Sequence, residues 1–426
     1  MAIAIDEQIA KLIIWTLYFV GLYFSLFWLS VLLFKEDKKS KIKITSWPTV
    51  TIILPMFNEE ECIERTLDSV YALDYPKDKL KIICVNDGST DGTLKLLHKL
   101  NKKYDFLLID QKNGGKHTAL NNALKHVNSD FFACFDADSF TEKQSLKVMI
   151  EEFNTPNVAA VMPIMKVDKP ENILQKVQWL EYTMNIFYKS IMGKLDCIHV
   201  TPGPFSVYRT HIIKDLGGFR KGHMTEDLEM ALRLQDNHYK LKQSLEAVVY
   251  TKSPKTTKAF ISQRTRWYQG TLLNVKDYKH FLFNRKYEEF GMYHMPLVAI
   301  TGMLALLGVL TVIYLFIKET YFTIKRMYLT HFDFMTYIEN YRWTTTLLDL
   351  DWQTLFASTV LFTLIFIIIY LSFIGTKERI SILRNVKYFF MFLYYFFIYK
   401  FIMAYIWAKV LWKIIFKKSN TWDKVN

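Results

Sequence analysis

The stretch Phe131-Phe132-Ala133-Cys134-Phe135-Asp136-Ala137-Asp138 runs an apolar segment straight into an Asp-x-Asp. The apolar part reads as a buried strand and the aspartates as its polar exit. Working outward, the same grammar repeats. Val50 to Leu54 is a short β-branched run ending at Pro55, and Leu80 to Val85 is a buried strand ended by Asn86-Asp87-Gly88. Phe106 to Ile109 is another strand, while Glu59 to Tyr71, Asp91 to Leu100 and Thr118 to Val127 have helical spacing. Repeated strand–helix units imply an α/β domain, its sheet mostly parallel with helices on both faces. Such sheets bind ligands beyond the carboxyl ends of their strands. Asn58-Glu59, Asp87-Gly88 and Asp136-Ala137-Asp138 all lie there, which points to a nucleotide site.

This domain is embedded in apolar sequence. Of 426 residues 51% are hydrophobic, and the long apolar runs lie before Lys35 and after Lys286. Ile13 to Phe34 has spanning length and is followed by Lys35, Lys38, Lys39, Lys41 and Lys43. Lysines mark cytoplasmic flanks, so the central domain is expected in the cytosol. Pro296 to Ile317 and Thr354 to Gly375 are further spans, with Lys318 to Gln353 as an external loop and Lys377, Arg379, Arg384 and Lys387 marking a return to the cytosol. Tyr388 to Phe416 holds Lys400, Lys409 and Lys413 and precedes Lys417 and Lys418; a single span would put that tail outside, whereas an interfacial or re-entrant segment keeps it inside. Asp277 to Tyr293 looks amphipathic and suits the cytosolic membrane face. The expected division is 1–34 as an N-terminal transmembrane helix, 35–275 as a cytosolic domain, 276–295 as an interfacial segment and 296–426 as a C-terminal membrane region. A multi-pass protein of the plasma membrane is expected, its first apolar run being too long for a signal-peptide core.

The net charge of +13 fits membrane topology and anionic headgroups. No nucleic acid partner is expected, because no binding module carries a basic face with interleaved aromatics. Cys62, Cys84, Cys134 and Cys197 form no CxxC pair, so a zinc site is not expected; Cys84 and Cys134 read as small core residues.

Each polar motif has a structural explanation beside a functional one. Two carboxylates on an extended exit can flank a hard divalent cation that also holds a diphosphate, although Asp is common in strand-end turns. Asp87 can accept hydrogen bonds from a nucleobase imide, with Thr90 or Asp91 as a helix cap. Asn113-Gly114-Gly115-Lys116 before a helix can offer amides and a charge to an anion, or be a plain turn. Thr225-Glu226-Asp227 opens the helix Leu228 to Gln235, with Thr225 an adequate N-cap and the acids suited to the dipole; Asp227 is also a candidate catalytic carboxylate. Gln263-Arg264-Thr265-Arg266-Trp267 sits on a basic helix leading to the membrane, where Arg and Trp both serve as anchors.

Order and placement make these motifs specific together. They resemble the inverting family 2 glycosyltransferases of the GT-A fold, a Rossmann-like domain, and in pattern the membrane synthases of hyaluronan, cellulose, chitin and poly-N-acetylglucosamine. That signature is an early Asp, an Asp-x-Asp, a later Asp and then (Q/R)xxRW, met here by Asp87, Asp136-Ala137-Asp138, Asp227 and Gln263 to Trp267. Pro55-Met56-Phe57-Asn58-Glu59 is similar to the first-strand motif, and Thr201-Pro202-Gly203-Pro204-Phe205 and Gly217-Gly218-Phe219 to the acceptor-side pattern. The resemblance covers Thr49 to Tyr278, and Thr421-Trp422 looks like a tail Trp found in several relatives.

The resemblance implies roles. Pro55, Asn58, Glu59, Asp87, Lys116 and Asp136 would bind the nucleotide-sugar, with Asp87 on the base and Lys116 on the diphosphate. Asp138, with Asp136, would hold Mg2+ or Mn2+, and Asp227 would be the general base. Glu226, Gln263, Arg264, Arg266 and Trp267 would line the diphosphate and acceptor sites. UDP-sugars are the commonest donors of the family. The acceptor is either a growing polysaccharide or a membrane lipid, since ceramide glucosyltransferases carry the same pattern. A transporter is disfavoured by the absence of inverted hydropathy repeats.

Overall fold

A computed structural model describes residues 2–34, 44–329, 331–332, 335, 351–376 and 386–416. The chain opens in helix α1 (Ala2–Phe34) and enters its sheet at β1 (Val50–Met56). Then follow α2 (Ile63–Tyr71), β2 (Leu80–Asp87), α3 (Thr93–Leu100), β3 (Leu107–Gln111), α4 (Lys116–Leu124) and β4 (Phe131–Cys134). The strands lie where the apolar runs put them. Helix α2 starts later than its spacing suggests, because Asn58 takes φ 57° and turns the chain first.

Beyond β4 come β5 (Ser139–Thr141), α5 (Ser145–Glu151), β6 (Val158–Val167), α6 (Ile173–Lys194), β7 (Ser206–Arg209), α7 (Thr210–Asp215), α8 (Glu226–Asp236), β8 (Lys240–Thr251) and α9 (Thr257–Asp277). The eight strands form one sheet in the order β3-β2-β1-β4-β7-β6-β8-β5. β1 is parallel to β2 and β4, and β2 to β3. Parallel pairing returns between β6 and β8, but the sheet is mixed, since β7 is antiparallel to both β4 and β6 and β5 is antiparallel to β8. The reversal has a local cause. The loop ahead of β7 returns along the carboxyl edge, so Ser206 pairs with Cys134 and β7 runs back from the edge where β4 ends.

Period-two alternation divides the core between the two faces. Ile52 and Leu54 pack with Ile63 and Leu67 on one side, and Ile53 packs with Leu120 and Phe132 on the other. Cys84 and Cys134 are core residues as expected, and all four cysteines are buried and in no disulfide. The second cluster reaches into the apolar helices, since Val31 of α1 and Met295 belong to it.

The remaining helices are α10 (Met295–Leu329), α11 (Trp352–Gly375), α12 (Val386–Leu393) and α13 (Tyr399–Ile415), with a π-turn at Tyr394–Ile398. Among the described residues four helical stretches are long and apolar enough to cross a membrane: Gln8–Phe34, Phe290–Leu329, Trp352–Gly375 and Phe390–Ile415. One boundary moves. Helix α10 does not end at Ile317 but continues to Leu329, taking the start of the expected loop into the helix. Beyond α9 the segment up to Tyr293 runs as short turns at Lys279–Phe281 and Arg285–Tyr287 and a π-turn at Phe290–His294. The positive φ of Phe283 and Glu288 interrupts the helix, and Phe281 packs edge-on against Tyr287 and Phe290. The basic markers Lys35 to Lys43, Lys377, Arg379, Arg384, Lys417 and Lys418, and the tail Thr421-Trp422, lie outside the described residues.

Phe132 is 0% exposed and stacks on Tyr208 with centroids 5.3 Å apart. Phe132→Ala is expected to destabilise the full chain by about 3–5 kcal/mol. Leu107, 46% exposed on strand β3, is the control, and its alanine variant is expected to stay within about 0.5 kcal/mol. Thermal unfolding in detergent checks both.

Candidate active site

Four elements converge at the carboxyl edge: the ends of β2 and β4 and the starts of α4 and α8. Asp136 follows β4. Its Oδ1 lies 2.5 Å from Lys116 Nζ in the first turn of α4, and the same ammonium lies 3.2 Å from Glu226 Oε1 in the first turn of α8. Asp227 stands beside Glu226, and both acids sit where the helix dipole favours negative charge. Burial disfavours the Lys116 ammonium, but Asp136, Glu226 and Asp227 outweigh it and hold its pKa well above the usual lysine value. Asp227 is pushed the other way, up to about 6, by burial first and by the Glu226 charge second, against Lys116, the Leu228 amide and Arg266. Lys189 of α6 also lies in the field of Asp227, and burial lowers it to about 8.

The backbone explains how these groups come so close. A Cβ on Gly203 would collide with Lys116 Nζ and lie 2.6 Å from Asp136 Oδ2. Gly203 is thus the residue that lets the 201–205 loop close over the ion pair, and Phe205 seals it against Phe135 at 4.8 Å. On the other side, a Cβ on Gly270 would lie 2.5 Å from Thr225 Oγ1. Asn274, one turn further along α9, donates to Gly222 O at 2.8 Å and to Thr225 Oγ1 at 2.9 Å. Helix α9 therefore clamps the turn that presents Glu226 and Asp227.

Thr225 is no side-chain cap. Its hydroxyl donates to Gly222 O and is engaged by Asn274, while the carboxylate of Asp227 accepts from the Leu228 amide at 2.9 Å. The N-cap of α3 is Gly92, not Thr90 or Asp91; Asp91, just ahead of it, accepts from the Thr93 amide at 3.0 Å, and the Thr90 amide donates to Asn58 Oδ1. The amides of Gly114 and Gly115 face an anion as expected, but the anion is protein: they donate to the two oxygens of Asp87, each at 2.9 Å. Gln111 Nε2 adds a third bond to Asp87, which is 2% exposed. Asp87 thereby builds the loop that carries Lys116.

Asn58 and Glu59 stitch the exit of β1 to the turn after β2, their amides donating to Ser89 Oγ and Thr93 Oγ1. Pro55 lies within β1, opposite Val85. Phe219 is a core residue held by Asn121, so Gly217-Gly218-Phe219 shapes the loop from within.

Gln263 to Trp267 divides. Residues 264 and 266 lie about 200° apart around a helix. Arg266 turns toward the centre, donating to Met224 O at 3.2 Å and acting on Asp227. Arg264 turns away, is 1% exposed, and pairs with Glu181 at 2.8 Å. Trp267 stands between them, with the Arg264 guanidinium 4.2 Å from its ring centroid. Gln263 lies on α9 one turn before Trp267.

Among the described residues no group of three or more His, Cys, Asp and Glu forms a metal cage. Asp136 and Asp138 contribute two hard carboxylates at one strand exit. A hard cation takes about six oxygens, so these donors fit an ion shared with a diphosphate, not one held by protein alone. Gly203 belongs to the Thr201 to Phe205 motif read from sequence, whereas Gly270, Asn274 and Glu181 were not legible as site residues, since their signal is spatial.

Residues 51–217 match the model of glycosyl transferase family 2. The poly-β-1,6-N-acetyl-D-glucosamine synthase of Staphylococcus aureus (strain COL) is 32% identical over 237 residues, 55% of this chain and 57% of that protein. Its Staphylococcus epidermidis counterpart is 31% identical over 224 residues, 52% of this chain and 54% of that protein. The match thus spans little more than half the length of these curated relatives. Among solved structures, a mannosyltransferase from Pyrobaculum calidifontis in complex with GDP-Man and Mn2+ covers 78% of this chain and 96% of its own, with a TM-score of 0.58 and 22% identity, a likeness of fold. Sheet order, fold likeness and sequence match agree: residues 51–217 are similar to glycosyl transferase family 2, the domain has a GT-A-like fold set among apolar helices, and the chain is similar to poly-β-1,6-N-acetyl-D-glucosamine synthases.

Proposed function

We propose that this protein extends a polysaccharide at the cytosolic face of the plasma membrane by inverting transfer from a UDP-sugar. The observation that carries this reading is the half-buried cluster of Lys116, Asp136, Glu226 and Asp227 at the carboxyl edge of the sheet. Similarity to the poly-β-1,6-N-acetyl-D-glucosamine synthases favours a polymer over a lipid acceptor and UDP-N-acetylglucosamine as donor. The apolar helices fit a multi-pass chain, and the lysines after Phe34 fit a cytosolic domain between 35 and 275, with 276–295 at the interface and 296–426 in the membrane region.

In this reading the nucleoside diphosphate lies along the β1, β2 and β4 exits, with Pro55, Asn58, Glu59 and Asp87 framing the nucleoside. Asp87 acts on the donor from the loop it builds. Lys116, released from part of its carboxylate pairing, neutralises the diphosphate, and Arg266 approaches from α9. Mg2+ or Mn2+ bound by Asp138 and Asp136 would supply further charge neutralisation to the leaving group. The acceptor hydroxyl oxygen forms its bond to the anomeric carbon as the bond from that carbon to the phosphate oxygen breaks. The electron pair leaves with the diphosphate, and the hydroxyl proton passes to Asp227. Glu226 keeps Asp227 basic enough to take it. Trp267 offers a ring face to the acceptor sugar, with Gln263 on the same helix.

Asp227→Asn is expected to abolish transfer while UDP binding persists, as read by labelled-donor incorporation and calorimetry; near-normal turnover would remove Asp227 as base. The acidic limb of kcat/KM is expected at about pH 6, because the carboxylate must be unprotonated and its pKa lies there. A limb in the ordinary carboxylate range, about pH 4, would contradict the enclosure described. Gly203→Ala is expected to lower turnover by about tenfold or more through the displaced ion pair, with little change in thermal midpoint. Product length on a gel separates polymer extension from single-sugar transfer to lipid.

A further inference from the structure

Arg264 does not face the reaction centre, yet it sits on the same helix two residues before Arg266, which does. Its Nη2 donates to Glu181 Oε2 at 2.8 Å, and Tyr399 of α13 donates its hydroxyl to the same oxygen at 2.6 Å. One oxygen of α6 thus gathers a donor from α9 and a donor from a membrane-region helix. Arg264 Nε has no hydrogen-bond partner, and the guanidinium is otherwise held by ring faces, Phe260 at 5.1 Å and Trp267 at 4.2 Å. The Trp267 indole therefore rests on a cation whose place is set by Glu181. The neighbouring turn repeats the linkage, because Tyr268 stacks on Trp407 of α13 at 4.7 Å. A Cβ on Gly302 would collide with Trp407, so α10 closes on the same ring.

We infer that Glu181 is a positioning residue for the acceptor: through Arg264 it sets the Trp267 ring, and through Tyr399 it makes that setting depend on helix α13. This rests on the reading of Trp267 as an acceptor platform. The last apolar helix is then a working part of the acceptor site as well as an anchor.

The test uses the full chain in detergent, with UDP-N-acetylglucosamine and a β-1,6-linked N-acetylglucosamine oligomer. Tyr399→Phe removes one hydrogen bond to a charged group and is expected to raise the KM of the oligomer by about tenfold, with the donor KM unchanged. Glu181→Gln alone strands a buried arginine and risks misfolding, so Glu181→Gln/Arg264→Met accompanies it. That pair is expected to recover the thermal midpoint but keep the raised oligomer KM. Recovery of wild-type KM together with the fold would reduce the bridge to a structural one and overturn the inference. Hydrogen exchange of peptides covering 263–268 needs no substrate: faster exchange in Tyr399→Phe, with β1 to β4 unchanged, is expected, and identical exchange with identical KM overturns the proposal. Transfer by the unmodified chain to this oligomer tests the substrate reading separately.

Discussion

The Lys116 ammonium lies between Asp136 at the end of β4 and Glu226 at the start of α8, with Asp227 beside them. Half-buried charges of this kind are costly unless each has its partner. The surrounding fold is arranged to meet that condition. Asp87 spends its oxygens on the two glycine amides that aim Lys116. Gly203 removes the side chain that would hold the loop off. Gly270 and Asn274 fix the turn that delivers the acids. With three carboxylates sharing one lysine and the approach of Arg266, the centre has room for added positive charge and for the proton that Asp227 is proposed to take.

Reversal of β7 follows from the same requirement. A wholly parallel sheet would carry the chain after α6 away from the carboxyl edge. Running β7 backward from that edge brings the 201–205 loop over Asp136. The apolar helices are tied in as well. Val31, Met295 and Ile368 join the core beneath the sheet, and Tyr399 and Trp407 meet α6 and α9.

Much of this was legible in the residues, and the limits have physical causes. Strand runs such as Val50 to Leu54 and Phe131 to Phe135 are short, apolar and polar-ended, so both their existence and their ligand-facing ends could be read. Lys116, Asp136 and the pair Glu226-Asp227 stand apart in the chain, yet each follows a strand or opens a helix, and the sheet gathers them. Arg264 shows where such reading fails. Beside Arg266 and Trp267 it reads as a ligand group, but helix phase turns it to Glu181, a partner 83 residues away. Thr225 likewise has the right type for a cap, and tertiary contact with Asn274 claims its hydroxyl. Strands β6 to β8 carried no motif to announce them.

A single displacement assisted by one base leaves a stereochemical record. The decisive measurement is the anomeric configuration of the first linkage formed by the purified chain from an α-linked UDP-sugar, read by proton NMR. A β-linkage is expected from Asp227 acting as the only proton acceptor. An α-linkage would contradict the assignment of these carboxylates.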